Sequence, residues 1–124
     1  MLVLGGSDDR DAGGKLTSIE MFDPATGAFR AAGDLIEARY KMGGAAVLLP
    51  ANRVLLAGGG LRSEVYDVRT GRSVPAGPVF GQRLNFASAT LLFDGSVLVA
   101  GGYDEDGIRM SGRAWRFFPK TISD

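Results

Sequence analysis

Short apolar runs that end in a glycine pair set the hydrophobic pattern of this chain. LVLGG ends at Gly6, LLAGG at Gly59 and LVAGG at Gly102, so successive copies lie 53 and 43 residues apart. A second landmark follows each pair: IEMFDPATG at 19–27, SEVYDVRTG at 63–71 and a weaker AWRFFPKT at 114–121. Because the landmarks keep their order, the sequence predicts a row of equivalent structural units.

Each unit has the pattern of short strands. Compact apolar runs at 44–49 and 88–93 each continue into another run through a tight connection, which predicts paired antiparallel strands. The second connection contains Asp94-Gly95, a strong hairpin signal, and the first has Ala51-Asn52 at the same place; we expect positive φ at both positions of each pair.

A third and a fourth strand complete the unit. The third ends at Phe22-Asp23 or Tyr66-Asp67, and a turn follows in which Gly27 or Gly71 can take the left-handed conformation. The fourth strand is expected around AFRAA (28–32) and RSVPA (72–76). Residues 34–42, DLIEARYKM, are the one stretch that could form a helix, and we interpret them as a loop between units.

Four antiparallel strands in 43 to 53 residues are typical of a propeller blade. An apolar strand ending in a glycine pair, a spacer of variable length and an aromatic residue before DPxTG together resemble the kelch repeat. The resemblance implies an all-β fold of kelch-type β-propeller blades, with strands a to d ordered from the axis outward and the glycine pair closing strand b. The chain then contains b-c-d in residues 1–43, a-b-c-d in 44–86 and a-b-c in 87–124, an incomplete propeller of about two and a half blades.

Such a row would leave an apolar face uncovered at each end. The chain is therefore either part of a longer propeller or a unit that assembles with copies of itself. Joining a terminal a-b-c to the b-c-d of a second copy gives six strands rather than four. We therefore expect an excerpt of a longer protein, or an open fragment that associates through its edge strands.

Composition and charge exclude several classes of ligand and metal site. Lysine and arginine equal aspartate and glutamate at 14 each, so no global field favours nucleic acid, and no run approaches the length that spans a membrane. The chain has no histidine and no cysteine, which excludes imidazole and thiolate metal ligands and leaves either redox compartment open. We predict no cofactor and no metal.

The aromatic and acidic residues of the chain could serve either packing or ligand binding. Aromatic residues on the third and fourth strands are expected to fill the space between blades, and the matched Glu20 and Glu64 to be hydrogen-bonding or solvent-facing. The acidic stretches 7–14 and 103–109 loosely resemble calcium loops but lack the required ligand spacing, so solvated hairpin tips are favoured.

The b-c and d-a connections emerge on one face because neighbouring strands are antiparallel. In the kelch family this rim often binds partners, and the resemblance implies the candidate binding residues Asp8, Asp9, Arg10, Asp11, Arg39, Tyr40, Arg62, Arg83, Asn85, Asp104, Glu105, Asp106 and Arg109. We expect a non-catalytic segment that binds a protein or a carbohydrate through this face. The alternative is a scaffold part of a galactose-oxidase-like or other carbohydrate-active propeller enzyme whose catalytic residues lie outside this chain.

Overall fold

Three separate antiparallel sheets make up the chain in a computed structural model that describes residues 1–104 and 109–119. The first sheet has the order β1-β2-β3, the second β4-β5-β6-β7 and the third β8-β9-β10. The strands are β1 Leu2–Leu4, β2 Leu16–Asp23, β3 Ala28–Arg39, β4 Ala46–Leu49, β5 Arg53–Leu56, β6 Arg62–Asp67, β7 Arg72–Val79, β8 Ser88–Leu91, β9 Val97–Ala100 and β10 Ala114–Phe117.

The predicted all-β class and the sequence of three, four and three strands are confirmed, and the sheets do not close on one another. A single 3₁₀ turn, Asp11–Gly14, accompanies the strands in the described part of the chain. Within that part, no helical segment has both the length and the apolar character needed to span a bilayer.

The hairpin between β4 and β5 adopts the predicted turn, and the one between β8 and β9 does not. Ala51 and Asn52 have φ of 63° and 56°, whereas in the second pair only Gly95 is left-handed, at 86°. The prediction of positive φ at Asp94 is therefore wrong. Asp94 instead accepts hydrogen bonds from the backbone N–H and the hydroxyl of Ser96, at 3.0 and 2.6 Å, and these bonds fix a wider turn that needs one left-handed residue.

The turn after the third strand is the same in the first two sheets. Asp23 and Asp67 each accept a hydrogen bond from the backbone N–H two residues on, at 2.9 and 2.8 Å. Gly27 and Gly71 close the turns with φ of 71° and 72°, as predicted. The recurring DPxTG-like segment is thus an Asx-stabilised turn whose glycine supplies the left-handed backbone.

The interpretation of residues 34–42 as a loop is wrong for most of the segment. Strand β3 continues to Arg39, and Leu35 is buried between the first two sheets. The Ile36 N–H donates to the Glu64 carboxylate at 2.9 Å. Contacts with the second sheet therefore hold this segment extended although it contains good helix formers.

The two central strands of the middle sheet, β5 and β6, are buried on both faces. Along β5, Val54 and Leu56 pack toward the first sheet with Ile19 and Tyr66, and Leu55 packs toward the third sheet. The third sheet meets it mainly through Val97, Val99, Trp115 and Phe117. Because successive strand residues point to opposite faces, two-sided burial requires the continuous apolar run that β5 shows.

The outer faces of the first and third sheets are exposed. Val3 and Phe29 on the first sheet are 42% and 57% exposed, and Leu98 on the third is 39% exposed. Phe29, expected to pack between blades, instead stacks on Phe22 with ring centroids 4.9 Å apart. Tyr66, Trp115 and Phe117 lie between sheets as predicted.

The glycine pairs close β1, β5 and β9 where another segment comes within contact distance. A β-carbon on Gly59 would lie 2.6 Å from the carbonyl oxygen of Tyr40, and one on Gly5 would lie 2.6 Å from that of Arg39. These distances are too short for any side chain, so close backbone approach requires glycine at Gly5 and Gly59, as predicted, whereas Gly6 and Gly101 have open space and positive φ.

Candidate functional site

Two kinds of connection meet at one end of the stacked sheets. The connections that follow the glycine pairs hydrogen bond to those that join one sheet to the next: Gly6 N–H donates to Arg39 O at 2.8 Å, and Gly59 N–H donates to Leu84 O at 2.9 Å. Asn85 and Tyr103 exchange two backbone hydrogen bonds of 3.0 Å each. We call this end, formed by the described residues 5–15, 40–45, 57–61, 80–87, 101–104 and 109–113, the connection face.

A buried ion pair joins the first two sheets beneath this face. Arg39 and Glu64 are each 1% exposed, and the Arg39 Nε donates to Glu64 Oε1 at 2.7 Å. The Arg39 guanidinium also donates to the carbonyl of Gly58 at 2.9 Å and to that of Arg62. The pair is hydrogen bonded on both sides, which is the condition for burying two charges without a large penalty.

The Glu37 carboxylate links the Arg39–Glu64 ion pair to residues at the edge of the connection face. Its carboxylate accepts from the Leu61 N–H at 2.9 and 3.0 Å and lies 3.4 Å from the Arg39 guanidinium. Arg83 approaches the same carboxylate at 3.7 Å and donates to Gly59 O at 3.1 Å. These residues position the backbone around Gly59 and leave little freedom for the connections.

An ammonium group surrounded by aromatic rings lies on the connection face. The Lys41 Nζ is 4.9 Å from the ring centroid of Tyr40, 5.7 Å from that of Phe86 and 5.6 Å from that of Tyr103. It also donates to the Tyr103 hydroxyl at 3.4 Å. We call these four side chains the Lys41 cluster. Lys15 extends it, with its Nζ 5.4 Å from the Tyr40 centroid.

The electrostatics of the cluster favour a charged lysine. The hydrogen bond to Tyr103 is the main factor that raises the pKa of Lys41, partial desolvation opposes it, and Tyr40 adds to the rise. The ring faces stabilise the same protonated form. The cluster therefore presents a positive charge, the Tyr103 hydroxyl and the exposed ring of Phe86, with the buried Tyr40 beneath them.

Asn85 adds an amide whose hydrogen-bonding capacity is unused. Its side chain is fully buried, and neither the Oδ1 nor the Nδ2 has a partner among the described residues. Residues directly opposite in an antiparallel bridge point their side chains to the same side, so the Asn85 amide lies on the Tyr103 side of the bridge. An unsatisfied buried amide costs about 1–3 kcal/mol, an expense typical of functional positions.

The predicted binding residues occupy very different environments. Arg39 lies on β3 rather than in a connection and is buried with Tyr40 and Asn85, so the expectation of an exposed rim is wrong for these three. Arg62 is exposed and donates to Gly77 O at 2.7 Å. Arg83 belongs to the Glu37 network.

Asp8, Asp9 and Asp11 lie in an exposed segment, and Asp104 is half-buried. Asp8 and Arg10 form an ion pair of 2.6 Å beside the 3₁₀ turn that contains Asp11, and the Arg10 side chain lowers the pKa of Asp8. Asp9 is exposed next to them. Asp104 and Arg109 pair at 3.1 Å, whereas Glu105 and Asp106 lie outside the described residues. Among the residues that are described, no group of three or more acidic side chains could hold a metal ion.

Sequence reasoning missed Lys41, Phe86 and Tyr103. They come from three connections that are distant along the chain, and no local motif marks them. In the structure, Lys41 and Phe86 lie in the connections between successive sheets, and both have positive φ, at 53° and 58°. Comparison of the chain with models of protein families and with curated proteins finds no match.

Proposed function

We propose that the chain is a segment of a kelch-type β-propeller, with blades at 1–43, 44–86 and 87–124, that binds a ligand without catalysis through the connection face. The observation that carries this proposal is the convergence of Lys41, Phe86 and Tyr103 from three different connections. A charge, a hydroxyl and an exposed aromatic ring gathered on one face are typical of a binding site.

The chemistry of the Lys41 cluster favours an acidic carbohydrate. A sugar ring stacks on aromatic faces, and the exposed Phe86 offers one. A carboxylate on the sugar can accept hydrogen bonds from the Lys41 ammonium and the Tyr103 hydroxyl.

A titration of the isotopically labelled chain with oligogalacturonate, followed by amide chemical shifts, tests the proposal. We expect shifts at residues 41, 85, 86 and 103, and binding at least tenfold weaker for Lys41→Gln. Arg69→Gln is the matched control because Arg69 is an exposed cation in the turn between β6 and β7. Shifts centred on that turn, or equal losses in both variants, would contradict the proposal.

A further inference from the structure

A cavity of about 750 Å³ lies between the second and third sheets and meets the connection face at Phe80. Val74 and Ala76 of β7 line one wall, and Trp115 and Phe117 of β10 line the other. Its size is within the range of cavities that take peptides and small molecules, and most of the side chains that line it are apolar.

The second sheet has another face, toward the first sheet, and the place there that corresponds to the cavity is filled. There β3, the outermost strand of the first sheet, runs against β6 and β7: the Tyr66 hydroxyl donates to Ala32 O, and Gly33 lies so close to Gly71 that a β-carbon would come within 2.3 Å of its carbonyl oxygen. On this face the second sheet is therefore covered by an outermost strand. The cavity occupies the equivalent place on its other face.

The strand beside the cavity can accept a neighbour. β10 is the last strand of the order β10-β9-β8, and along its other edge the described residues contain no paired strand. Backbone N–H and C=O groups on such an edge pair readily with an extended peptide, and a wall of apolar side chains selects alternate residues of that peptide.

Charge narrows the choice of peptide. Three arginines, Arg53, Arg72 and Arg116, line the cavity with one carboxylate, that of Asp67, and Arg116 is already paired with Asp94. Asp67 is already hydrogen bonded by the Arg69 N–H at 2.8 Å. The excess of guanidinium groups attracts carboxylates at the margins of an otherwise apolar cavity.

We propose that this cavity binds an extended strand of a partner polypeptide, with apolar residues at alternate positions and acidic residues at its ends, which pairs with β10. The cavity shares Phe80 with the connection face but is lined by none of the Lys41 cluster. The partner strand would cover Trp115 and extend the third sheet to four strands.

Trp115 is the single tryptophan of the chain, so its fluorescence reports on the cavity directly. The probe is a synthetic peptide of about nine residues in which valine alternates with threonine between Asp-Glu ends, a length suited to one strand. Binding is expected to shift the Trp115 emission to shorter wavelength with a Kd below about 100 μM, or about 5.5 kcal/mol. The same peptide with proline at alternate positions removes the backbone donors and is expected not to bind.

Matched variants on β7 locate the site. Val74→Asp places a charge in the cavity wall and is expected to weaken binding at least tenfold. Val79→Asp is the control, since Val79 is 64% exposed on the same strand but does not line the cavity. Arg72→Glu is expected to weaken binding of the acidic peptide at least fivefold, whereas Arg30→Glu on β3 leaves it unchanged.

Several results would overturn the proposal. The first is no emission change with the alternating peptide at millimolar concentration, and the second is equal binding of the proline-containing peptide. A concentration-dependent dimer that shields Trp115 and excludes the peptide would assign the cavity to a second copy of the chain instead. Equal loss in Val74→Asp and Val79→Asp would also refute it.

Discussion

Glu64→Gln removes one charge from the buried ion pair and tests whether Arg39 and Glu64 hold the first two sheets together. Glu64 accepts two hydrogen bonds, from Arg39 Nε at 2.7 Å and from Ile36 N–H at 2.9 Å. Glutamine keeps the shape of the Glu64 side chain and one of its two acceptor oxygens. Its NH₂ group would then face one of the two donors, Ile36 N–H or Arg39 Nε, and the Arg39 guanidinium would lose its nearest carboxylate. Breaking a buried pair from one side costs about 3–5 kcal/mol.

The repeat supplies a matched control. Glu20 occupies the corresponding position on β2 but is exposed, so Glu20→Gln is expected to change the free energy of unfolding by less than about 0.5 kcal/mol. The total stability of a chain of this size is about 6–19 kcal/mol, so a loss of 3–5 kcal/mol is large but survivable. In urea, with a slope near 2 kcal/mol/M, the midpoint should fall by about 1.5–2.5 M.

A double-mutant cycle separates the pair from its surroundings. The cycle compares Arg39→Met and Glu64→Leu with the variant that carries both substitutions. We expect the double variant to be less destabilised than either single variant, because neither charge of the pair is then left without its partner. The reasoning is refuted if Glu64→Gln costs under about 1 kcal/mol, or if the double variant loses the sum of the two single losses.

Three further predictions concern backbone approach, pH and an inter-sheet hydrogen bond. Gly59→Ala is expected to cost about 1–3 kcal/mol more than Gly27→Ala in urea unfolding, because both positions have positive φ but only Gly59 has a backbone atom within 2.6 Å of the added β-carbon; equal losses would argue against the close approach. Hydrogen bonds from Ser96 lower the pKa of Asp94. Stability is therefore expected to be full above the unfolded pKa of about 3.9 and to fall as the pH drops through the lower folded value, with a smaller acid loss in Asp94→Asn; an unchanged acid profile would contradict this. Tyr66→Phe is expected to cost about 1 kcal/mol in thermal unfolding by removing the bond to Ala32 O, and no change would show that the bond contributes nothing.

Local patterns in the sequence carried most of the strand order. The glycine pairs, the apolar runs and the turn at Asp67-Gly71 are encoded within a few residues, where backbone preferences decide the conformation. The third strand of each sheet ends where the aromatic-aspartate signal places it, at Asp23 and Asp67.

Tertiary contacts determine the extent of β3 and the burial of Glu64, and neither is encoded in a local sequence pattern. Residues 34–39 contain helix-forming Leu, Glu, Ala and Arg, but pairing with β2 and the buried contacts of Leu35 and Arg39 with the second sheet extend β3. Glu20 and Glu64 have equivalent sequence positions, yet Glu64 alone faces a buried arginine. The repeat therefore predicted their strand positions and not their environments.

The candidate site was predicted only in part. The convergence of connections on one face follows from antiparallel pairing, and Tyr40 and Asn85 were among the predicted residues. The Lys41 cluster depends on distances between residues 41, 86 and 103, which the sequence separates by at least 17 positions. Its chemistry appears only when the sheets are stacked.

Amide hydrogen exchange measured by NMR tests the stacking of three sheets, with the central strands of the middle one buried on both faces, most directly. The account predicts that Leu55, Leu56 and Val65, in the two central strands of the second sheet, exchange slowest, at rates set by global unfolding, while the amides of β1 and β8 exchange faster. Equal protection of β1, β5 and β8 would indicate a closed structure without exposed outer sheets and would contradict the account.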